Sequence, residues 1–393
     1  MKQLSQIVDD KIEPMLKKLP LCEEYNYFKH NILSSIISIY EKKLPRVILR
    51  EHYRCNPQII EFCNQKYYDG ELIAYTEPSI ESCPFVLYKT AEGNHMRNVT
   101  VGENIGKYNQ REIDVTVEEI LNNPDIEDKY ENIGFVTPYR KQADKAFKLL
   151  PSNVQSDTIH KYQGREKEIM IMSTVLDDTR SGKIGLKFVD DPQMVNVAVS
   201  RAKRQFVLVT DYDLFSKKSK HVGDLIRYIQ YNTLDKCIIE SNVVSVFDML
   251  YRRYSEKLIK LKSRMNRNAR YQSEETLDVL LKDVLSEPQN NRYTYVREML
   301  LINLLNNVDL LTDEERRYVY NRASLDFVVF YKQDKTCALV IEVDGFAFHE
   351  NNLEQQRRDR LKDSILRKYG INLLRLPTNG SMEREKIQNF LNS

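Results

Sequence analysis

Three acidic residues near the end of the chain raise the first chemical question. Asp326 opens the run LDFVVFY, and Glu342 and Asp344 stand two apart in ALVIEVDG. On an extended strand, residues two apart project from one face. The neighbours Leu339, Val340, Ile341 and Val343 are apolar. A carboxylate beside such a run is costly to desolvate unless it pairs or binds a cation. Acids converging from adjacent strands supply the oxygen ligands that suit Mg²⁺ or Mn²⁺. Such an ion can activate water against a phosphodiester. Asp326, Glu342 and Asp344 are therefore candidate metal ligands and catalytic residues.

The elements that must carry these groups follow from periodicity. Apolar spacing in Ile32, Leu33, Ile36, Ile37 and Tyr40 predicts helix early in the chain. From Pro45 to Asp211, short strands alternate with helices. Strand candidates are Arg46–Arg50, Ile133–Val136, Glu168–Val175 and Phe206–Thr210. Asn56 can cap a helix that has Pro57 at its first position and Gly70 beyond its end. This alternation predicts an α/β fold with a parallel sheet covered on both faces. A second pattern follows. Ser273 can cap a helix through Leu285, Tyr293–Leu304 is ambiguous, and Leu325–Tyr331 and Cys337–Asp344 read as strands. A charged helix over about 352–369 stops at Gly370, before a strand at Ile371–Leu376 and a last helix at Met382–Leu391. The expected organisation is a lead-in (1–44), a larger α/β domain (45–240), a basic helical linker (241–270) and a smaller α/β domain (271–393).

Global composition is less informative. Lys and Arg number 59 against 57 Asp and Glu, so net charge does not mark the chain as a nucleic-acid binder. Residues 251–270 do concentrate basic side chains around one acid, Glu256. They read either as a solvated linker helix or as a phosphate contact. The six cysteines form no C-x-x-C pair, so neither a zinc site nor a disulfide framework is expected. With no signal peptide and no apolar run long enough for a bilayer, the chain reads as cytoplasmic.

Four segments carry a resemblance over about half the chain: EHYRCNPQIIEFCNQKYYDGELI (51–73), IGFVTPYRKQ (133–142), SDTIHKYQGREKEIMIMSTV (156–175) and MVNVAVSRAKRQFVLVTD (194–211). In order and spacing they resemble the second RecA-like domain of superfamily 1B helicases. Phosphoryl transfer needs positive charge where the transition state gathers negative charge. The resemblance implies that Arg54 and Arg201 face the γ-phosphate of ATP. It implies that Glu166 contacts the nucleotide sugar from a loop shaped by Gln163 and Gly164, and that Thr137 and Thr158 touch the nucleic-acid backbone. The opening Met1–Val8 resembles the second half of a further motif, with Gln3 as the γ-phosphate sensor. The chain is thus expected to begin inside that motif, as a fragment, an internal-start product or one half of a split protein. No stretch matches the phosphate loop G-x-x-x-x-G-K-[ST]. The resemblance therefore implies ATP turnover only when a partner or parent chain supplies a first RecA-like domain.

The run from about 273 to 376 resembles the PD-(D/E)XK nucleases, in the branch with E-x-D-G…H and a following basic helix. Its layout is similar to that of very-short-patch-repair endonucleases. The matching segments are IEVDGFAFH (341–349) and RRDRLKDSILRKYGINLLRL (357–376). Glu275 matches an acid that completes the metal site in such enzymes. The family's lysine two after the glutamate is absent, since Asp344 stands there. Lys362 is the candidate substitute and His349 a second, although His349 also reads as a capping or core histidine. Arg358, Asp359 and Arg360 also read as a solvated helix face. The resemblance implies a metal-dependent nuclease acting on DNA, with RNA left open, in bacterial defence against foreign DNA. The alternatives are a non-catalytic accessory subunit that binds nucleic acid, and an ATPase half-module working in trans.

Overall fold

The computed structural model describes residues 22–26, 29–45, 49–78, 83–100, 105–124, 131–266, 271–345 and 353–392, apart from a few isolated positions. Gln3 and His349 lie outside the described residues. The chain divides into two compact units, one built from residues up to Lys89 and Leu121–Ile239, the other from Thr90–Ile120 and Glu240–Ser393.

In the first unit, helix α1 (Ile32–Tyr40) precedes strand β1 (Glu51–His52) and helix α2 (Pro57–Tyr67). The start of α2 is as its sequence suggests. The Asn56 side chain accepts the Gln58 N–H at 2.9 Å, and Pro57 occupies a position whose N–H has no helical partner. Strand β2 (Ile73–Ala74) pairs in parallel with β1, and β3 (Phe85–Lys89) follows. The chain then enters the second unit with a hairpin of β4 (Met96–Val99) and β5 (Gly106–Asn109) and helix α3 (Gln110–Val115). It returns as β6 (Ile133–Thr137), α4 (Arg140–Leu149), β7 (Gln155–Thr158), β8 (Lys167–Ser173), α5 (Arg180–Val189), α6 (Pro192–Ser200), β9 (Ala202–Thr210), α7 (Tyr212–Lys218), α8 (His221–Thr233) and β10 (Ile238–Glu240).

These strands form a six-stranded sheet in the order β10-β3-β9-β8-β6-β7, parallel from β3 through β7. The central strands read as unbroken apolar runs because both faces are covered. Ile169, Met170, Ile171 and Met172 are buried, as are Phe206, Val207, Leu208 and Val209. This is the RecA-like α/β sheet expected. One feature departs from the cysteine reading, since Cys83 and Cys237 are joined by a disulfide.

The second unit holds α9 (Ile259–Lys262), α10 (Gln272–Leu285), β11 (Tyr293–Leu300), α11 (Asp313–Tyr320), β12 (Ser324–Tyr331), β13 (Cys337–Asp344), α12 (Leu353–Lys368), β14 (Leu373–Pro377) and α13 (Glu383–Asn392). The ambiguous 293–304 segment is thus mainly strand. Helix α10 begins at Gln272, and no side chain caps it, Ser273 included. The four strands run in the order β11-β12-β13-β14, antiparallel until the parallel β13–β14 pair. One face of this sheet packs Phe327, Val329 and Ile341 against α10 and α13 through Leu277, Leu281 and Ile387. The other packs Val328 and Val340 against α11 and α12 through Val319, Ile365 and Leu366.

Residues 90–120, inside the span expected for the larger domain, cluster with this second unit. The reason is a buried polar junction. Arg111 donates to Asp248 at 3.0 Å and to the Val243 carbonyl at 3.1 Å, and His95 Nε2 lies 3.4 Å from the other Asp248 oxygen. The 241–270 segment is not a free linker helix either. Its helical turn is short, and Leu258 and Leu261 are buried in the core beside α10.

Burial pushes the Asp248 carboxyl up, but the Arg111 and His95 charges outweigh it and hold the group at about 2. A depressed carboxylate adds stability that is present above its unfolded value near 3.8 and lost as pH falls through about 2. Asp248→Asn should therefore cost on the order of 3 kcal/mol at neutral pH, because it leaves Arg111 buried without a counter-charge. Urea unfolding at pH 7 and pH 3 checks this. The deficit should shrink at the lower pH.

Candidate functional site

In the first unit the sequence-predicted arginines come together. Arg54 follows β1, and Arg201 sits at the C-terminal end of α6. They line a cleft of about 780 Å³ with His52, Glu166, Ser200 and Lys203. Glu166 is ion-paired to Arg54, and its other oxygen lies 3.0 Å from Lys203 Nζ. The Lys203 hydrogen bond leads the effects that hold the Glu166 carboxyl below the usual range. Burial, and then the nearby Arg54 charge, lower the affinity of Arg201 for its proton. Arginine nonetheless stays charged at any working pH. Three cations against two carboxylates, Glu166 and Glu51, leave the cleft with a positive balance, suited to an anion such as a phosphate.

The resemblance had not singled out Lys203 or the tyrosine pair Tyr53–Tyr75. Lys203 is visible in the sequence only as the second residue after Arg201. Tyr53 and Tyr75 are exposed and stacked at 5.0 Å beside the cleft. The strand pairing that brings 51–52 to 73–74 cannot be read from either segment alone. Gly164 has φ +84°, a left-handed conformation that glycine adopts without strain, in the loop leading to Glu166.

Thr137 and Thr158 are register partners on β6 and β7. Thr158 is half-buried, whereas Thr137 is fully buried and its hydroxyl finds no hydrogen-bond partner among the described residues. As placed, the Thr137 side chain cannot touch a nucleic acid, and that expectation is corrected.

In the second unit, Asp326, Glu342, Asp344 and Lys362 line a separate cavity of about 440 Å³, with Tyr318 and Arg358 also on its wall. Alternation along β12 and β13 sets Asp326 and Glu342 on the α11/α12 face, opposite Phe327 and Ile341. The Val343 N–H donates to Asp326 Oδ2 at 2.8 Å, and the Asp326 N–H donates to Glu342 Oε1 at 3.3 Å. Lys362 of α12 is ion-paired to Glu342, and both side chains are buried. Burial pushes Glu342 up to about 7 against the pull of Lys362, and the Asp326 charge adds to the rise. Burial likewise raises Asp326. Two desolvated carboxylates share the site with one lysine, so a further cation would relieve their repulsion.

Two expected members are paired to arginines. Arg375 of β14 holds Asp344 at 2.8 Å and Asp363 at 2.7 Å. Glu275 lies on α10, on the opposite face of the sheet, where Arg297 approaches it at 3.2 Å and the Asn266 N–H donates to it at 3.0 Å. Its assignment to the metal site is corrected. Among the described residues, no three His, Cys, Asp or Glu side chains gather to cage a metal. The arrangement fits an open site with two carboxylates, which suffices for Mg²⁺ completed by water and phosphate oxygens.

A family model described as an AAA domain matches residues 29–213, and one described as a protein of unknown function (DUF2726) matches 267–393. The chain carries a superfamily 1 helicase domain. DNA polymerase alpha-associated DNA helicase A of Saccharomyces cerevisiae is 26% identical over 211 residues, covering 47% of this chain and 30% of that protein. Helicase SEN1 of the same yeast is 29% identical over 221 residues, 51% of this chain and 10% of that protein. Probable helicase senataxin of Homo sapiens is 26% identical over 258 residues, 61% of this chain and 9% of that protein. The chain thus spans less than a third of each of these relatives. Among the described residues, no helix is long and apolar enough to cross a membrane.

Proposed function

We propose that this chain joins a helicase-type first unit to a metal-dependent nuclease in its second unit. The observation that carries the reading is the buried Glu342–Lys362 pair beside Asp326, in a cavity of about 440 Å³. Asp326 and Glu342 would hold Mg²⁺ or Mn²⁺. A bound metal of this kind supplies Lewis acidity and lowers the pKa of its water. Lys362 would orient that water's target or stabilise the charge that develops on the phosphate. Arg375 pairs with Asp344 of β13 and with Asp363 of α12, which ties that strand to the helix carrying Lys362.

In the first unit, Arg54, Arg201 and Lys203 would meet the phosphates of an ATP held by a first RecA-like domain. The Tyr53–Tyr75 stack offers a flat surface for a base. The relatives are helicases by name, and we carry nucleic acid to this chain on that ground.

The Arg375–Asp344 pair favours a second reading, since it leaves only two carboxylates for a metal. The second unit would then bind nucleic acid without cutting it. The two readings separate when the whole chain is incubated with supercoiled plasmid and circular single strands, in Mg²⁺ or Mn²⁺ without ATP. Cleavage that stops on chelation supports the nuclease. Intact circles under both metals, with retention of DNA on the protein, support the accessory reading.

A further inference from the structure

The carboxylate cavity carries a cation that the reading above does not use. Four acids line it, Asp326, Glu342, Asp344 and Asp359, against the bases Arg322, Arg358 and Lys362. Such a wall repels a polyanion unless positive charge stands where the polymer enters. Several of these groups already have opposite charges beside them. Lys362 is ion-paired to Glu342, and Arg375 faces Asp344 at 2.8 Å and Asp359 at 3.7 Å. Arg322 is not ion-paired to any described residue. It is exposed, whereas Glu342 and Lys362 are buried. Arg322 therefore stands at the mouth of the cavity and the buried pair at its floor.

The local backbone makes this side chain an odd one for its position. Helix α11 ends at Tyr320, where the Asn321 N–H donates to the Arg317 carbonyl at 3.0 Å, and β12 starts at Ser324. Arg322 joins the two with φ +61°, in the left-handed region. The residue just past a helix end often takes this conformation, and it is usually glycine because a Cβ is strained there. A helix stop alone gives no reason for a long cationic side chain. Charge compensation at the C-terminal carbonyls of α11 is a weak reason as well, since Arg317 already stands in the last turn.

Building on the nuclease reading above, we propose that Arg322 binds the phosphate next to the one attacked, so that the cavity takes a nucleic-acid strand in preference to an isolated diester. The guanidinium is a planar fork that meets two phosphate oxygens in parallel hydrogen bonds. From the mouth it holds the strand, while the attacked diester lies over Asp326, Glu342 and Lys362 at the floor. The smallest substrate that uses Arg322 thus has one phosphate beyond the attacked diester.

The test uses the whole chain in Mn²⁺ with DNA and with bis(p-nitrophenyl) phosphate, a diester that has no flanking phosphate. Arg322→Gly should raise KM for DNA about tenfold with kcat within about threefold, and should hydrolyse the small diester as wild type does. In chelator, a labelled duplex should bind more weakly, with the slope of log K against log salt shallower by about 0.9, the value of one phosphate contact. Arg322→Lys should recover that slope, because lysine keeps the charge. Glycine accepts the left-handed turn without strain, so the urea midpoint of Arg322→Gly should not fall, which separates a lost contact from a lost fold. Unchanged KM and an unchanged slope in Arg322→Gly would overturn the proposal and leave the residue as a helix stop. Equal losses on DNA and on the small diester would overturn it too, because Arg322 would then act at the attacked phosphate itself. If wild type cuts neither substrate, the nuclease reading fails by itself and the chelator slope settles Arg322. A shallower slope in Arg322→Gly then supports the phosphate contact, and an unchanged one removes it.

Discussion

Arg201→Ala should lower ATP turnover by a factor on the order of 10³ once a first RecA-like domain is supplied, while the first unit stays folded. The argument rests on where the residue lies. Arg201 is anchored at the end of α6, is almost fully buried, and lines a cleft shared with Arg54, Glu166 and Lys203. A guanidinium held there is oriented before the nucleotide arrives, so it stabilises transition-state charge with little rearrangement. Its removal leaves two cations around Glu166, enough to hold a ground-state phosphate. The loss should therefore fall mainly on the turnover number, with a smaller rise in KM. Turnover within threefold of wild type would detach Arg201 from phosphoryl transfer and leave it a structural residue.

The second large effect is expected at Lys362. Lys362→Met should cut DNA cleavage by at least about 100-fold, with the secondary structure retained. Lys362 is the cation nearest Glu342, and both are buried. The substitution keeps the aliphatic volume and removes the ammonium. It also removes the charge that draws Glu342 down, so burial should then push that carboxyl above its present value near 7. Breaking a buried pair in this way should cost about 3 kcal/mol in urea unfolding. A variant that is destabilised but still cuts at the wild-type rate would show that Lys362 serves packing and charge balance alone.

Much of this arrangement is legible in the sequence. The apolar runs around Ile171 and Val207 announce buried parallel strands, and ALVIEVDG places Glu342 and Asp344 on one face. The Asn56-Pro57 start and the stop at Gly370 mark helix ends, and each does so through local backbone chemistry. What stays hidden depends on partners distant in sequence. The 90–120 hairpin carries no sign that Arg111 will meet Asp248, because the two lie 137 residues apart. Glu275 reads as a fourth acid until the sheet's faces are known, and Arg297 then claims it on the wrong side. Asp344 looks equivalent to Glu342 until β14 brings Arg375 alongside. Thr137 matches a contact residue by position, but β6 is interior and its hydroxyl is buried.

The most direct test of the central claim compares metal-dependent cleavage by wild type, Asp326→Ala, Glu342→Ala and Asp344→Asn on one DNA substrate in Mn²⁺. The account predicts that wild type cuts, that the first two variants lose cleavage by at least about 10³-fold, and that Asp344→Asn retains a substantial part of it because that carboxylate is already paired with Arg375. Undiminished cutting by Asp326→Ala and Glu342→Ala would contradict the account, because the hydrolytic centre would then lie elsewhere.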